Sequence, residues 1–220
     1  VTRPDPSIAQ RVAQYAAVVA PKADQSVGRI GGGTGMITYD FKAGNGSSSR
    51  LVEIVGETYR LGVFVQSNFG RREDFTILGV PVGREIGHDK LRGKDQGSVI
   101  AVVATDAPLM AHQLKRVARR VPMGLARTGT VGNNSSGDIF LAFSTANEAA
   151  FAARDGVAVP FAALPNGSLD ALFRATVEAT EEAVIDSMLC NQTMVGRDGN
   201  RSIALPRDQL LALMRAAGRL

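Results

Sequence analysis

Residues 98–105 read Ser-Val-Ile-Ala-Val-Val-Ala-Thr, and the fifteen residues before them, 83–97, are polar and charged (GREIGHDKLRGKDQG). An eight-residue apolar run rich in Val and Ile, bounded by polar chain, predicts a strand buried on both faces. Such a strand needs packed layers on either side, which restricts the fold to architectures that cover a sheet twice. The stretch before it predicts an exposed loop. Asp106-Ala107-Pro108 then offers a helix start, with Leu109, Gln113, Val117 and Val121 spaced along one helical face.

The remaining pattern is consistent with an α/β chain. Residues 7–20 place Ile8, Val12, Ala16 and Val19 at helical spacing after Ser7. A glycine-rich segment, 28–46, contains Gly31-Gly32-Gly33-Thr34-Gly35-Met36. Residues 51–55, 59–67 and 75–80 predict strands, and 138–144 a further buried one. Two more helices are predicted over 168–189 and 206–217. Strands and helices in this order favour packed sheets with helical layers in a single domain, 1–220.

Several chemistries are excluded. No glycine cluster is followed by Lys-Ser or Lys-Thr, Met36 stands where a dinucleotide fingerprint needs its third glycine, and no Ser lies in G-x-S-x-G. One cysteine, Cys190, and two histidines, His88 and His112, cannot make a Cys₄ or Cys₂His₂ zinc site within the chain, and no metal or other cofactor is expected. Both histidines read as solvent-exposed, and Cys190 as a buried or half-buried thiol. The net charge is +4, with 13 basic and 10 acidic residues up to Gly97 and 12 and 11 after it, so no region concentrates positive field. Lys115, Arg116, Arg119 and Arg120 read as the solvated face of a helix, and aromatics make up only 5% of the chain. Neither a nucleic-acid partner nor a membrane is expected, since no apolar run approaches the roughly 20 residues of a span.

The junction Gly97-Ser98 remains. A Ser at the mouth of a strand, after a Gly that permits unusual backbone geometry, can attack the preceding carbonyl. Scission there would give Ser98 a free α-amine of pKa about 7.7–8.0, a general base carried by the nucleophile itself. A simple loop-to-strand boundary explains the same dipeptide.

Resemblance adds to this reading. Residues 97–109 (GSVIAVVATDAPL), His112-Gln113-Leu114-Lys115-Arg116, Ala126-Arg127-Thr128-Gly129 and Ser136-Gly137-Asp138 with the strand after it resemble the small subunit of one peptidase family. Gly31-Gly32-Gly33-Thr34-Gly35-Met36 and Val65-Gln66-Ser67-Asn68-Phe69-Gly70 resemble blocks of its large subunit. The family is that of the L-aminopeptidase/D-amidase-esterases and β-peptidyl aminopeptidases, self-cleaving N-terminal-nucleophile hydrolases, and the resemblance covers roughly residues 28–195. It implies an αββα-type sandwich of two packed sheets between helical layers. It also implies cleavage into a part of the large subunit, 1–97, and a small subunit, 98–220, with Gly97 and Ser98 flanking the cut. Ser98 would be the nucleophile, Asn68 the oxyanion-stabilising amide, and Ser136 with Asp138 the Ser-x-acid pair. The loop of Gly32, Gly33, Thr34 and Gly35 would line the substrate cleft or only make a tight turn.

The implied activity is release of N-terminal residues from short peptides, amino-acid amides or esters, by a homo-oligomer of self-cleaved pairs. Family precursors carry a longer stretch, with a tyrosine near the active site, before the glycine-rich block. Nothing in residues 1–27 resembles it, and no tyrosine takes that role. Gly132-Asn133-Asn134 stands where a histidine after the glycine is expected. Two alternatives stay open: a non-catalytic or truncated relative that binds partners, and an ornithine-acetyltransferase-like acyl transferase, against which the Ser nucleophile argues. The compartment stays open as well, leaning to the cytoplasm, with the periplasm if a leader is removed.

Overall fold

The computed structural model describes residues 28–89, 97–151 and 156–220. The expected helix over 7–20 and part of the charged loop, 90–96, lie outside the described residues.

Two short strands, β1 (Ile37–Thr38) and β2 (Phe41–Lys42), form a ribbon. A four-stranded sheet then follows, built from β3 (Asn45–Ile54), β4 (Glu57–Asn68), β5 (Ser98–Thr105) and β6 (Ile139–Ser144) in that spatial order. β3, β4 and β5 run antiparallel, whereas β5 and β6 are parallel. The parallel step needs a crossover, supplied by the helices Ala111–Ala118 and Val121–Arg127. The long helix Asp170–Leu189 lies across β3 and β4 and against the helix Val121–Arg127. A second ribbon of β7 (Met194–Val195) with β8 (Arg201–Ser202) and the helix Arg207–Ala216 complete the described chain.

Strand periodicity decides what the sheet buries. Leu61, Val63 and Val65 of β4 and Val99, Ala101 and Val103 of β5 point to the helices and are at most 2% exposed. Their alternates point the other way and are partly open, with Ile100 43% exposed. The run 98–105 is therefore a strand as expected, but buried on one face. β6 departs in the same way: it is the edge strand, and Ile139, Leu141 and Phe143 are exposed. Among the described residues one sheet carries helices on one side; the second sheet of the expected sandwich is not among them.

Other expectations need correction. Residues 75–80 form no strand, because Leu78 and Gly79 (φ 50° and 80°) make a tight turn between the bridged residues Ile77 and Val80. Phe75, Ile77 and Val82 instead join the apolar core, with Phe75 against the rings of Tyr39 and Phe41. Beside them the buried Arg72 donates to the carbonyls of Tyr39, Asp40, Ile86 and His88 and lies 3.5 Å over the Phe41 ring. A short helix, Val82–Glu85, and the buried Ile86 occupy the start of the expected exposed loop. The helix after β5 begins later than Asp106. That carboxylate accepts the Arg60 N–H at 2.6 Å, while Gln113 Oε1 accepts the Met110 N–H at 2.8 Å and caps the helix. Val121 opens the next helix, with Pro122 in its first turn.

Candidate active site

β4 and β5 end together, and their last pair is Asn68 opposite Ser98. Both side chains belong to the set that points away from the helices, so they share one half-buried face at a cross-strand spacing of about 5 Å between Cα atoms. Gly97 precedes them with its Cα against the Asn68 main chain. A Cβ at that position would stand 1.8 Å from the Asn68 carbonyl oxygen. Only glycine brings the peptide 97–98 this close to β4.

The third side of the cluster comes from the crossover. Because β6 pairs with β5 from Ile100 opposite Ile139, residues 136–138 fall beside the mouth of β5. The Gly137 N–H donates to Ser98 Oγ at 2.9 Å. Asp138 Oδ1 accepts from the Val99 N–H at 2.9 Å and from the Ser136 hydroxyl at 2.6 Å. A carboxylate, two hydroxyls and a carboxamide from three segments of the chain thus gather at one end of the sheet.

The glycine-rich segment borders this cluster. Gly32 lies against the Gln66 amide, where a Cβ would come within 2.0 Å of Nε2, and Gln66 is the outer-face residue next to Asn68 along β4. Thr34 turns inward on its own loop, donating to the Gly31 and Arg29 carbonyls. Gly33 is buried under the loop, and Gly35 faces open space. The loop is thus a tight turn with Gly32 lying against Gln66, beside the cluster. After it, the Ile37 N–H donates to Asn68 Oδ1 at 3.0 Å. That bond fixes which end of the carboxamide faces the turn, leaving Nδ2 as the donating end.

Lys42 holds the turn from beneath. Its ammonium is buried and donates to the carbonyls of Gly33 at 3.2 Å, Met36 at 2.8 Å and Ala43. Burial, with the nearby Arg29 charge adding, pulls the Lys42 pKa down to about 8.

Of the residues singled out from sequence, Ser98, Asn68, Ser136, Asp138 and Gly97 come together, and Gly32 lies alongside. Three contributors were missed: the Gly137 and Ile37 N–H groups, which are main-chain atoms without a sequence letter, and Lys42. A lysine inside the otherwise apolar stretch 41–43 was the only available signal. His88 and His112 are exposed, and Cys190 is half-buried with its thiol 3.3 Å from Asp186 Oδ1. The basic helix is more than a solvated face, because Arg116 and Arg120 lie over the Phe173 ring at 5.0 and 3.9 Å.

The sequence profile of peptidase family S58 matches residues 6–202. The chain belongs to peptidase family S58. The match starts earlier than the resemblance over roughly 28–195 and takes in part of the first 27 residues. A β-peptidyl aminopeptidase, BapA, of Sphingosinicella xenopeptidilytica is 40% identical over 202 residues, which cover 86% of this chain and 50% of that protein. Among solved structures, the L-aminopeptidase D-Ala-esterase/amidase of Ochrobactrum anthropi superposes with a TM-score of 0.83. It is 43% identical, covering 89% of this chain and 54% of that one. The PH0078 protein of Pyrococcus horikoshii OT3 gives 0.81 at 48% identity, over 90% and 54%. The S58 chain described here therefore spans about half the length of the relatives it matches. The O. anthropi enzyme is described as a prototype for the serine aminopeptidases and a variant of the Ntn hydrolase fold. The mixed α/β arrangement here resembles that variant.

Proposed function

We propose that this chain carries the nucleophile of an S58 aminopeptidase or amidase that activates itself by cutting the Gly97–Ser98 bond. Ser98 Oγ attacks the Gly97 carbonyl; the O–C bond forms, the C–N bond breaks, and the departing nitrogen takes the hydroxyl proton. Water then hydrolyses the ester, leaving a Gly97 carboxylate and a Ser98 α-amine. In turnover that amine removes the Oγ proton as Ser98 attacks the substrate carbonyl. The ammonium so formed gives the proton to the departing amine as the substrate C–N bond breaks, and water, deprotonated by the same amine, later hydrolyses the Ser98 ester to release the acyl group as a carboxylate. Asn68 Nδ2 donates to the oxyanion of each tetrahedral intermediate. Asp138, one residue from the new amine through its bond to the Val99 N–H, holds that ammonium or the substrate's, with Ser136 passing hydrogen bonds between them.

The observation that carries this reading is the pairing of Asn68 with Ser98 on one face, with Gly97 pressed against the Asn68 carbonyl and Gly137 N–H on Ser98 Oγ. Relatives named as a β-peptidyl aminopeptidase and as an L-aminopeptidase D-Ala-esterase/amidase support short peptides, amino-acid amides or esters as substrates. We extend the reading to the sandwich. The outer face exposes Ile100, Ile139, Leu141 and Phe143, with a shallow depression among Ser47, Ser49, Gly62, Phe64 and Val102, which suits a second sheet about 10 Å above it. Residues up to 97 then belong to the large subunit and 98–220 form the small one, in an oligomer of cleaved pairs.

The test is mass spectrometry of the purified whole protein. A small subunit beginning at Ser98 is expected, and the Ser98→Ala variant should stay uncut and lack amidase turnover. A persistently uncut wild-type chain, or cleavage of the variant, overturns the reading.

A further inference from the structure

One peptide group joins two features described above. The Met36 carbonyl accepts from the Lys42 ammonium at 2.8 Å, and the N–H of the same peptide unit, Ile37 N–H, donates to Asn68 Oδ1 at 3.0 Å. The Ala43 N–H also donates to the Met36 carbonyl, at 3.1 Å. Three amide or ammonium dipoles are therefore aligned head to tail: N⁺–H to C=O, N–H to C=O, and finally the Asn68 Nδ2–H group.

A cation on a peptide oxygen draws electron density away from the peptide nitrogen and makes its N–H a stronger donor, and hydrogen bonds in such chains reinforce one another. The effect is large only where water does not screen the charge, and the Lys42 side chain is buried. The same ammonium donates to Gly33 and Ala43, so it also fixes the turn from which Ile37 emerges. A carboxamide held at Oδ1 cannot flip, and pre-set donors cost no reorganisation as charge develops.

We infer that Lys42 is a positioning residue for the reaction, orienting and polarising Asn68 through the Met36–Ile37 peptide. This rests on Asn68 acting as the oxyanion donor. An acidic partner on the ammonium would quench the polarisation, but the three groups it donates to are neutral carbonyls, and the neighbouring charge that acts on it, Arg29, is positive.

A double-mutant cycle on the whole protein tests it, with cleavage at 97–98 followed by mass for every variant, kcat measured per cut chain, and the self-cleavage rate compared across the same cycle wherever a variant stays uncut. Asn68→Ala should lower kcat by about 10²–10³-fold. Lys42→Met, which keeps the aliphatic stem, should lower kcat by about tenfold with KM unchanged, and should cost nothing further in the Asn68→Ala background. Lys42→Arg should recover part of the loss, because the charge is restored. Equal losses from Lys42→Met in both backgrounds, or no loss at all beside a slow Asn68→Ala, overturns the inference alone; an Asn68→Ala protein at wild-type kcat overturns the reading beneath it. Should Lys42→Met not fold, NMR of the Ser98→Ala protein, which lacks the new α-amine, decides. The ¹³C shift of the Asn68 carboxamide and the ¹⁵N shift of Ile37 should move together as Lys42 loses its proton near pH 8, and shifts flat through that range overturn the relay.

Discussion

The two faces of the central sheet are made by the same strands and do opposite work. On the face toward the helices, Leu61, Val63 and Val65 stand beside Val99, Ala101 and Val103, all at most 2% exposed and part of one apolar core. On the other face, one residue along at each step, come Phe64, Gln66 and Asn68 beside Ser98, Ile100 and Val102. The period of two lets a strand spend half its residues on holding its own position and the other half on presenting groups to a site. A side chain at the strand mouth is then as well placed as the core beneath it. The price is that a single register slip would exchange the two sets.

The largest expected effect separates the faces most cleanly. Ser98→Ala removes an outer-face hydroxyl that takes no part in the core, so turnover should fall by about 10⁴–10⁶-fold while thermal unfolding of the uncut chain stays within about 0.5 kcal/mol of that of the unsubstituted chain before cleavage. Calorimetry alongside an amide-hydrolysis assay measures both. A comparable loss of stability would mean that Ser98 helps hold the sheet, and the division of labour would be wrong. Leu61→Ala is the converse. Fully buried beneath the sheet, it should cost about 2–5 kcal/mol in denaturant unfolding, with kcat per folded molecule unchanged.

How far each face could be read in advance follows from the same periodicity. The strands expected over 51–55 and 59–67 form as the end of β3 and most of β4, but the polar start of β3, Asn45–Arg50, carries no apolar alternation and gave no strand signal. Residues 98–105 and 139–144 are apolar at nearly every position, so the sequence alone could not say which half is covered by helices and which is open. The turn at Leu78-Gly79 was hidden because leucine stands at a position of positive φ, where glycine or asparagine usually gives a turn away. The candidate site was more legible than its surroundings. Ser98 is marked by its place after Gly97 and by the family resemblance, and Asn68, Ser136 and Asp138 by the resemblance alone, whereas the Gly137 and Ile37 N–H groups act through the main chain and depend on where the crossover and the glycine turn happen to end.

Gly97→Ala sharpens the comparison at the point where main chain, not side chain, makes the site. Placed in the Ser98→Ala background so that the bond stays intact, the added Cβ meets the Asn68 carbonyl and the start of Phe69. Neighbouring main chain yields little, so a loss of about 1–3 kcal/mol in denaturant unfolding is expected. A neutral result would mean that residue 97 can move away from β4 freely, and that its closeness to Asn68 is not enforced.

The smallest effect is expected at the far end of the same hairpin. Val55 and Gly56 form the two-residue turn between Ile54 and Glu57, with φ of 51° and 83°. Both angles positive is the geometry that suits the twist of paired strands, but a β-branched residue pays steric strain in it, and Val55 is 82% exposed with little packing to offset that strain. Val55→Asn should therefore raise stability by up to about 1–2 kcal/mol. The turn is twelve residues from Asn68 along β4, about 40 Å at strand rise, and belongs to neither face. Stability should rise with kcat and KM unchanged, measured by unfolding and by the same amide assay. A change in kcat from this position would show that the hairpin transmits strain along its length to the strand mouth, and the site could then no longer be treated as fixed by the core beneath it alone.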